Sequence, residues 1–146
     1  MGAISENRKA YFDYQILEKF EAGIELKGFE VKAIKTGRVN LGGSYAVVKD
    51  NEIWLLNADI PPYQPKNTPK DYDSKRSRRL LLTRKEINYL IGKIQQKLTL
   101  LPLRVYTKGP LIKIELGLGK GKKKYEKREA IKKRETEKEI QRTLKS

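Results

Sequence analysis

The chain has 146 residues, with 33 Lys and Arg against 18 Asp and Glu, a formal net charge of +15, and neither Cys nor His. This size suits one domain with an appendage, and the charge favours an anionic partner. Without thiols or imidazoles, the sequence excludes disulfides, zinc sites of the Cys/His kind, thiolate nucleophiles and histidine acid–base chemistry.

Residues Met1 to Lys9 are polar and read as loose. From Tyr11 to Leu17 apolar residues recur near every second position, and Ala22, Ile24 and Leu26 alternate with Gly23, Glu25 and Lys27, which predicts two strands or one long bent one. The period then changes: Val31 and Ile34 stand three apart before Gly37, predicting a short helix that shows Lys32 and Lys35 to solvent. Ser44 to Lys49 and Glu52 to Asn57 flank Asp50-Asn51, two turn-forming residues, so a hairpin carrying Trp54 is expected.

Residues 60–79 hold four of the six prolines and then Lys75-Arg76-Ser77-Arg78-Arg79. An aperiodic stretch this long is either functional or disordered. Thr83 and Glu86 fit a capping box, and Ile87, Leu90, Ile91, Ile94 and Leu98 follow at helical spacing, making this stripe core. Leu101, Leu103 and Val105 alternate with Pro102, Arg104 and Tyr106; after Gly109-Pro110, Ile112, Ile114, Leu116 and Leu118 alternate with Lys113 and Glu115. With the apolar sets inward, Arg104, Tyr106 and Lys113 share the solvent face of one hairpin. Hairpins, two to three helices and a basic face holding an aromatic suggest a mainly β fold, a small antiparallel barrel of oligonucleotide-binding type over residues 1–118.

Gly117-Leu118-Gly119-Lys120-Gly121 lacks the third glycine of a dinucleotide fingerprint and the ending of a P-loop, and reads as a hinge. Beyond it, residues 119–146 carry twelve Lys and Arg against five Glu. Such a tail buries too little to order alone and is expected to be disordered or conditionally helical, folding on a polyanion. Tyr125 within it offers a ring for base stacking. Glu21, Glu25 and Glu30 are the one acidic group near a turn; they could hold magnesium in a nuclease, or accept hydrogen bonds from RNA. No apolar run approaches the ~20 residues that span a bilayer, and no apolar signal segment opens the chain. A cytoplasmic protein without membrane partner or cofactor is expected.

Several segments, in order and over nearly the whole chain, resemble the small protein B family of SsrA-binding proteins, partners of transfer-messenger RNA in ribosome rescue. They include Phe20-Glu21-Ala22-Gly23-Ile24, Leu26-Lys27-Gly28, Glu30 to Lys35, Asn40-Leu41, Ser44-Tyr45, Arg76 to Leu82, Lys85-Glu86-Ile87, Pro102-Leu103 with Val105-Tyr106, Gly121-Lys122-Lys123 and Lys127-Arg128. The resemblance implies a non-catalytic, monomeric adaptor whose barrel holds the tRNA-like domain and whose tail enters the decoding centre and empty messenger channel. It implies RNA contact at Glu21, Leu81 and Lys113, with Asn40 near the same face, and it maps the family's Asp-Lys-Arg tail triplet onto Glu126-Lys127-Arg128. Tyr72 lies near a place that is often His in the family.

Together with the basic positions read above, the expected RNA-binding set is Glu21, Lys32, Lys35, Asn40, Arg76, Arg78, Arg79, Leu81, Arg104, Tyr106 and Lys113. The expected ribosome-binding set is Gly121, Lys122, Lys123, Tyr125, Glu126, Lys127, Arg128, Lys132, Lys133 and Arg134. Two other readings remain open at this point, a generic basic ribosomal or RNA-chaperone protein and, less favoured, a metal-dependent nuclease.

Overall fold

The computed structural model describes residues 3–64, 66, 68–122, 128 and 134. Its elements run β1 (Ala3–Glu6), α1 (Arg8–Asp13), β2 (Tyr14–Ile24), α2 (Gly28–Lys35), β3 (Tyr45–Lys49), β4 (Glu52–Leu56), β5 (Arg78–Leu81), α3 (Arg84–Gln95), β6 (Thr99–Lys108) and β7 (Leu111–Gly121). All strand pairs are antiparallel, in the order β1-β6-β3-β4-β5-β2-β7, and β6 also pairs with β7. That last pairing closes six strands into a ring and leaves β1 as an added strand on β6, at Arg104, Val105 and Tyr106. The expectation of a mainly β antiparallel barrel with two to three helices is met.

Local chemistry explains the elements. Asp50 and Asn51 both take positive φ, 53° and 59°, the backbone of a two-residue turn whose twist matches the β3–β4 hairpin. Thr83 accepts from the Glu86 N–H while Glu86 accepts from Thr83 N, closing the predicted box at the start of α3. Ile87 and Leu90 of α3 join Ile53, Leu55, Leu80, Leu100, Ile114, Leu116 and Leu118 in the barrel core. Each such side chain contributes about 1.5–3 kcal/mol of burial.

Residues expected to be loose or strand-forming make β1 and α1 instead. Asn7 starts α1: its Oδ1 accepts from Ala10 N at 3.4 Å, its Nδ2 donates to Pro102 O at 2.9 Å, and its N–H donates to Leu103 O at 2.7 Å. A bulge between Pro102 and Arg104 then changes the phase of β6. Leu100 and Val105 face the main core, whereas Leu101 and Leu103, expected to face inward with Val105, join Ala10, Tyr14 and Ile16 in a second small cluster under α1.

The same cluster corrects the expected hinge. Gly117, Gly119 and Gly121 lie in β7, paired with β2 opposite Lys19, Ile16 and Tyr14. A Cβ at Gly117 would stand 2.8 Å from Leu103, and one at Gly119 would stand 3.2 Å from the Gln15 carbonyl. The glycines make room for side chains from β6 and β2, and the barrel continues past Leu118.

Between Ile60 and β5 the described residues form no regular helix or strand, but the stretch is pinned where Tyr72 donates to Ile60 O at 2.8 Å and to Glu30 Oε2 at 3.0 Å. Among the described residues no helix is long and apolar enough to cross a membrane.

Candidate RNA interface

Barrel register decides which expected residues meet. Gly23 of β2 pairs with Leu81 of β5 on one side and Lys113 of β7 on the other, and Lys113 pairs with Tyr106 of β6. One row therefore reads Leu81, Gly23, Lys113, Tyr106 across four strands. Two residues along, Glu21 pairs with Glu115 and Glu115 with Arg104, making a second row on the same outer face. Leu81 is 46% exposed, and Gly23 supplies the space beside it, since a Cβ there would stand 3.2 Å from Leu81 Cβ. A shallow groove continues from Leu81 and Lys113 to Val31 of α2.

The second row is an electrostatic ladder. Glu21 accepts from the Tyr106 hydroxyl and, at 3.2 Å, from Lys108 Nζ. Glu115 meets Arg104 Nη2 at 3.4 Å and Lys19 Nζ at 3.9 Å. The Tyr106 hydrogen bond, then that of Lys108, hold the Glu21 carboxyl below its ordinary range. Burial, then the bond to Glu21, push the Tyr106 hydroxyl up to about 12, so at neutral pH it is a donor. Lys19 and Lys108, missing from the sequence-derived set, were legible as the alternation partners of Glu21 and Tyr106 on the same strands.

Tyr106 itself is a correction. It stands on the outer face as alternation required, yet only 5% of it is exposed, because Arg104 stacks over its ring at 4.7 Å and Glu21 closes on its hydroxyl. The ring is covered and is not a platform for a base.

Arg78 is the second correction. It is fully buried beside Glu30, with Nη2 2.6 Å and Nε 2.8 Å from Oε2, and donates further to Ala58 O, Ser74 O and the Tyr72 hydroxyl. Arg76 also binds the Glu30 carboxylate, which accepts the Lys27 N–H at 2.8 Å as well. Burial alone would raise the Glu30 carboxyl, but the Arg76 hydrogen bond, the Lys27 N–H and Arg78 overcome it and hold the group at about 2. Arg76 and Arg78 thus bolt α2 and the 60–79 stretch to the barrel. Arg79, one residue on, points outward beside Glu25 at 3.0 Å.

The remaining positions scatter. Lys32 and Lys35 lie exposed on α2, as expected. Asn40 is exposed after α2, its Oδ1 accepting from Gly42 N. Glu21, Glu25 and Glu30, weighed as a magnesium set, do not converge; each faces different cations, and among the described residues no three acidic side chains are grouped to hold a metal.

Of the tail set, Gly121 belongs to β7, and Lys122 is tied to α1 through its N–H to Asp13 O and its Nζ to Tyr11 O. Arg128 and Arg134 are helical and exposed, and the Arg134 guanidinium lies 5.8 Å from the Phe12 ring centre. Lys123, Tyr125, Glu126, Lys127, Lys132 and Lys133 lie outside the described residues.

A family model described as SmpB protein matches residues 4–146. The SsrA-binding protein of Carboxydothermus hydrogenoformans is 54% identical over 144 residues, covering 98% of this chain and 96% of that one. The SsrA-binding protein of Gloeothece citriformis is 50% identical over 143 residues, covering 97% and 92%. A chain from the solved structure "tmRNA-SmpB: a journey to the center of the bacterial ribosome" is 47% identical, with a TM-score of 0.68 over 82% of this chain and 85% of its own. Matches over nearly the full length, in sequence and in barrel, make this chain a member of the SmpB family.

Proposed function

We propose that this chain is an RNA-binding adaptor of trans-translation in the cytoplasm, acting without a catalytic step. Its barrel holds the tRNA-like domain of transfer-messenger RNA and delivers it to stalled ribosomes, while its tail occupies the decoding centre and the empty messenger channel. The observation that carries this reading is the register that brings Glu21, Leu81 and Lys113 onto one outer face, flanked by Arg104, Lys108 and Lys19. Cations there neutralise phosphates, Leu81 offers an apolar contact and Glu21 accepts from a donor. The glycines of β7 argue for placing the division between barrel and tail after Gly121, where strand pairing stops.

Binding of the full chain and of a version ending at Lys122 to the tRNA-like domain, against excess elongator tRNA at one salt concentration, tests the division. Both versions are expected to select the transfer-messenger fragment with affinities within about threefold. Loss of selectivity would leave a polycation on a barrel, the generic RNA-chaperone reading. In a tagging assay, Lys127→Ala with Arg128→Ala is expected to abolish most tagging while leaving barrel affinity unchanged; equal loss of both would overturn the separate role of the tail.

A further inference from the structure

A carboxylate at the centre of a phosphate-binding surface would ordinarily repel the ligand. The groups around Glu21 change that. From β6 the Tyr106 hydroxyl donates to Oε2 and Lys108 to Oε1, and from β7 Lys113 adds an attractive field, while Glu115 alongside is engaged by Arg104 and Lys19. An ionised carboxylate offers about four acceptor sites, and the two bonds take two of them. The Glu21 side chain remains 41% exposed, so its unused acceptor capacity faces solvent.

Tyr106 reaches Glu21 across the whole width of β7, because β2 and β6 are the two neighbours of that strand. Roughly 10 Å separates strands two apart, a span that a tyrosine can bridge and that fixes where the carboxylate stands. Its ring is buried with the Arg104 guanidinium 4.7 Å from its centre, so swinging the ring away from Glu21 would uncover buried aromatic surface. Cations flank the carboxylate on both sides, Lys113 in the next row toward Leu81 and Lys19 two residues back along β2, while Arg104 stands in the carboxylate's own row beyond Glu115. A strand whose phosphates rested on Lys113 and Lys19 would pass over Glu21 between them.

We propose that Glu21 accepts a hydrogen bond from a ribose 2′-hydroxyl, and that Tyr106 and Lys108 are positioning residues that hold its carboxylate aimed for that contact. The inference rests on the RNA-binding reading above and gives the barrel face a way to distinguish RNA from DNA, since the 2′-hydroxyl is the group the two do not share. It also gives Tyr106 a role that base stacking cannot, its ring being covered.

The test scans single 2′-deoxy substitutions through the tRNA-like fragment and measures binding to the full chain by fluorescence anisotropy at fixed salt. Wild type is compared with Tyr106→Phe, which keeps the ring under Arg104, and with Glu21→Ala. At one or a few positions the deoxy substitution is expected to weaken wild type about fivefold, to have no effect in Glu21→Ala, and to have at most a twofold effect in Tyr106→Phe. A purely structural Tyr106 would lower the melting temperature of the variant without moving its deoxy sensitivity, which would overturn the positioning role. A deoxy effect equal in all three proteins, or absent from all, would overturn the contact. Should wild type fail to select the fragment over elongator tRNA, the adaptor reading itself fails; selectivity retained with no dependence on Glu21 sinks this inference alone.

Discussion

Two clusters in this barrel use the same side chains, a glutamate, a tyrosine and cations, and do opposite things. Glu30 with Arg76, Arg78 and Tyr72 joins α2 to β5 and the stretch before it, and the Glu30 and Arg78 side chains there have no exposure. Glu21 with Tyr106, Lys108 and, one residue removed, Arg104 lies open on the outer face. Burial turns the first set into a bolt, since an ion pair out of water is costly to break and has no unused valence to offer a ligand. Exposure leaves the second set weak as a fastener and available as a surface. Composition alone does not separate them; the direction of alternate residues on β5 and β2 does.

The sharpest way to break the comparison is Glu30→Gln. It leaves Arg78 buried against a neutral amide and removes the partner of Arg76, so unfolding free energy by urea denaturation is expected to fall by about 3–5 kcal/mol. A loss under about 1 kcal/mol would show that Glu30 is no bolt. The acid response follows from the same group. Its carboxyl sits at about 2 in the folded chain, below its ordinary value of 4.5, so the native state binds its proton later than the unfolded chain does. That stabilisation is complete above about pH 4.5 and disappears as the pH falls toward 2, a loss of about 3 kcal/mol. Thermal melts between pH 6 and pH 2 should show the decline in wild type and a flatter profile in Glu30→Gln.

How much of this was legible follows from where each signal lives. The α3 helix and the Asp50-Asn51 hairpin carry their causes within a few residues, a capping box with a 3.6 period and a turn pair, and both form as read. The burial of Arg78 depends on Glu30, 48 positions away, and in Arg78-Arg79-Leu80-Leu81 the alternation runs buried, outward, buried, outward against the hydropathy, so four adjacent letters looked like a basic run and an apolar run. The short helix α1 was hidden because Phe12 falls in phase with Tyr14 and Ile16 and so extends the strand alternation back into it; Asn7 was its one local signal. The glycines of β7 answer to Leu103 and Gln15, distant in sequence or offering only a backbone atom, and so looked like a hinge. Of the interface, Lys113 and Arg104 were placed outward by period two alone, Glu21 was read as one of three carboxylates that could hold magnesium or accept from RNA until family likeness singled it out, and Leu81 entered through that likeness, since a leucine beside a basic run declares no surface.

The gentlest test works on the open cluster, and its value lies in what should stay unchanged. Lys113 pairs with Tyr106 and Gly23 and makes no part of the Glu30 cluster. Lys113→Glu is expected to weaken binding to the tRNA-like fragment about tenfold and to flatten the plot of log affinity against log salt by about one to two units, because one phosphate contact is lost and a like charge gained. Its melting temperature should stay near that of wild type, since exposed charges contribute under about 1 kcal/mol. Glu30→Gln should show the reverse, a large stability loss with an unaltered salt slope in whatever fraction remains folded. If instead the salt slope of Lys113→Glu matched wild type, Lys113 would be another solvated lysine in a chain of net charge +15, and the phosphate track would have to run along Arg79 and α2, where Lys32 and Lys35 are the exposed cations.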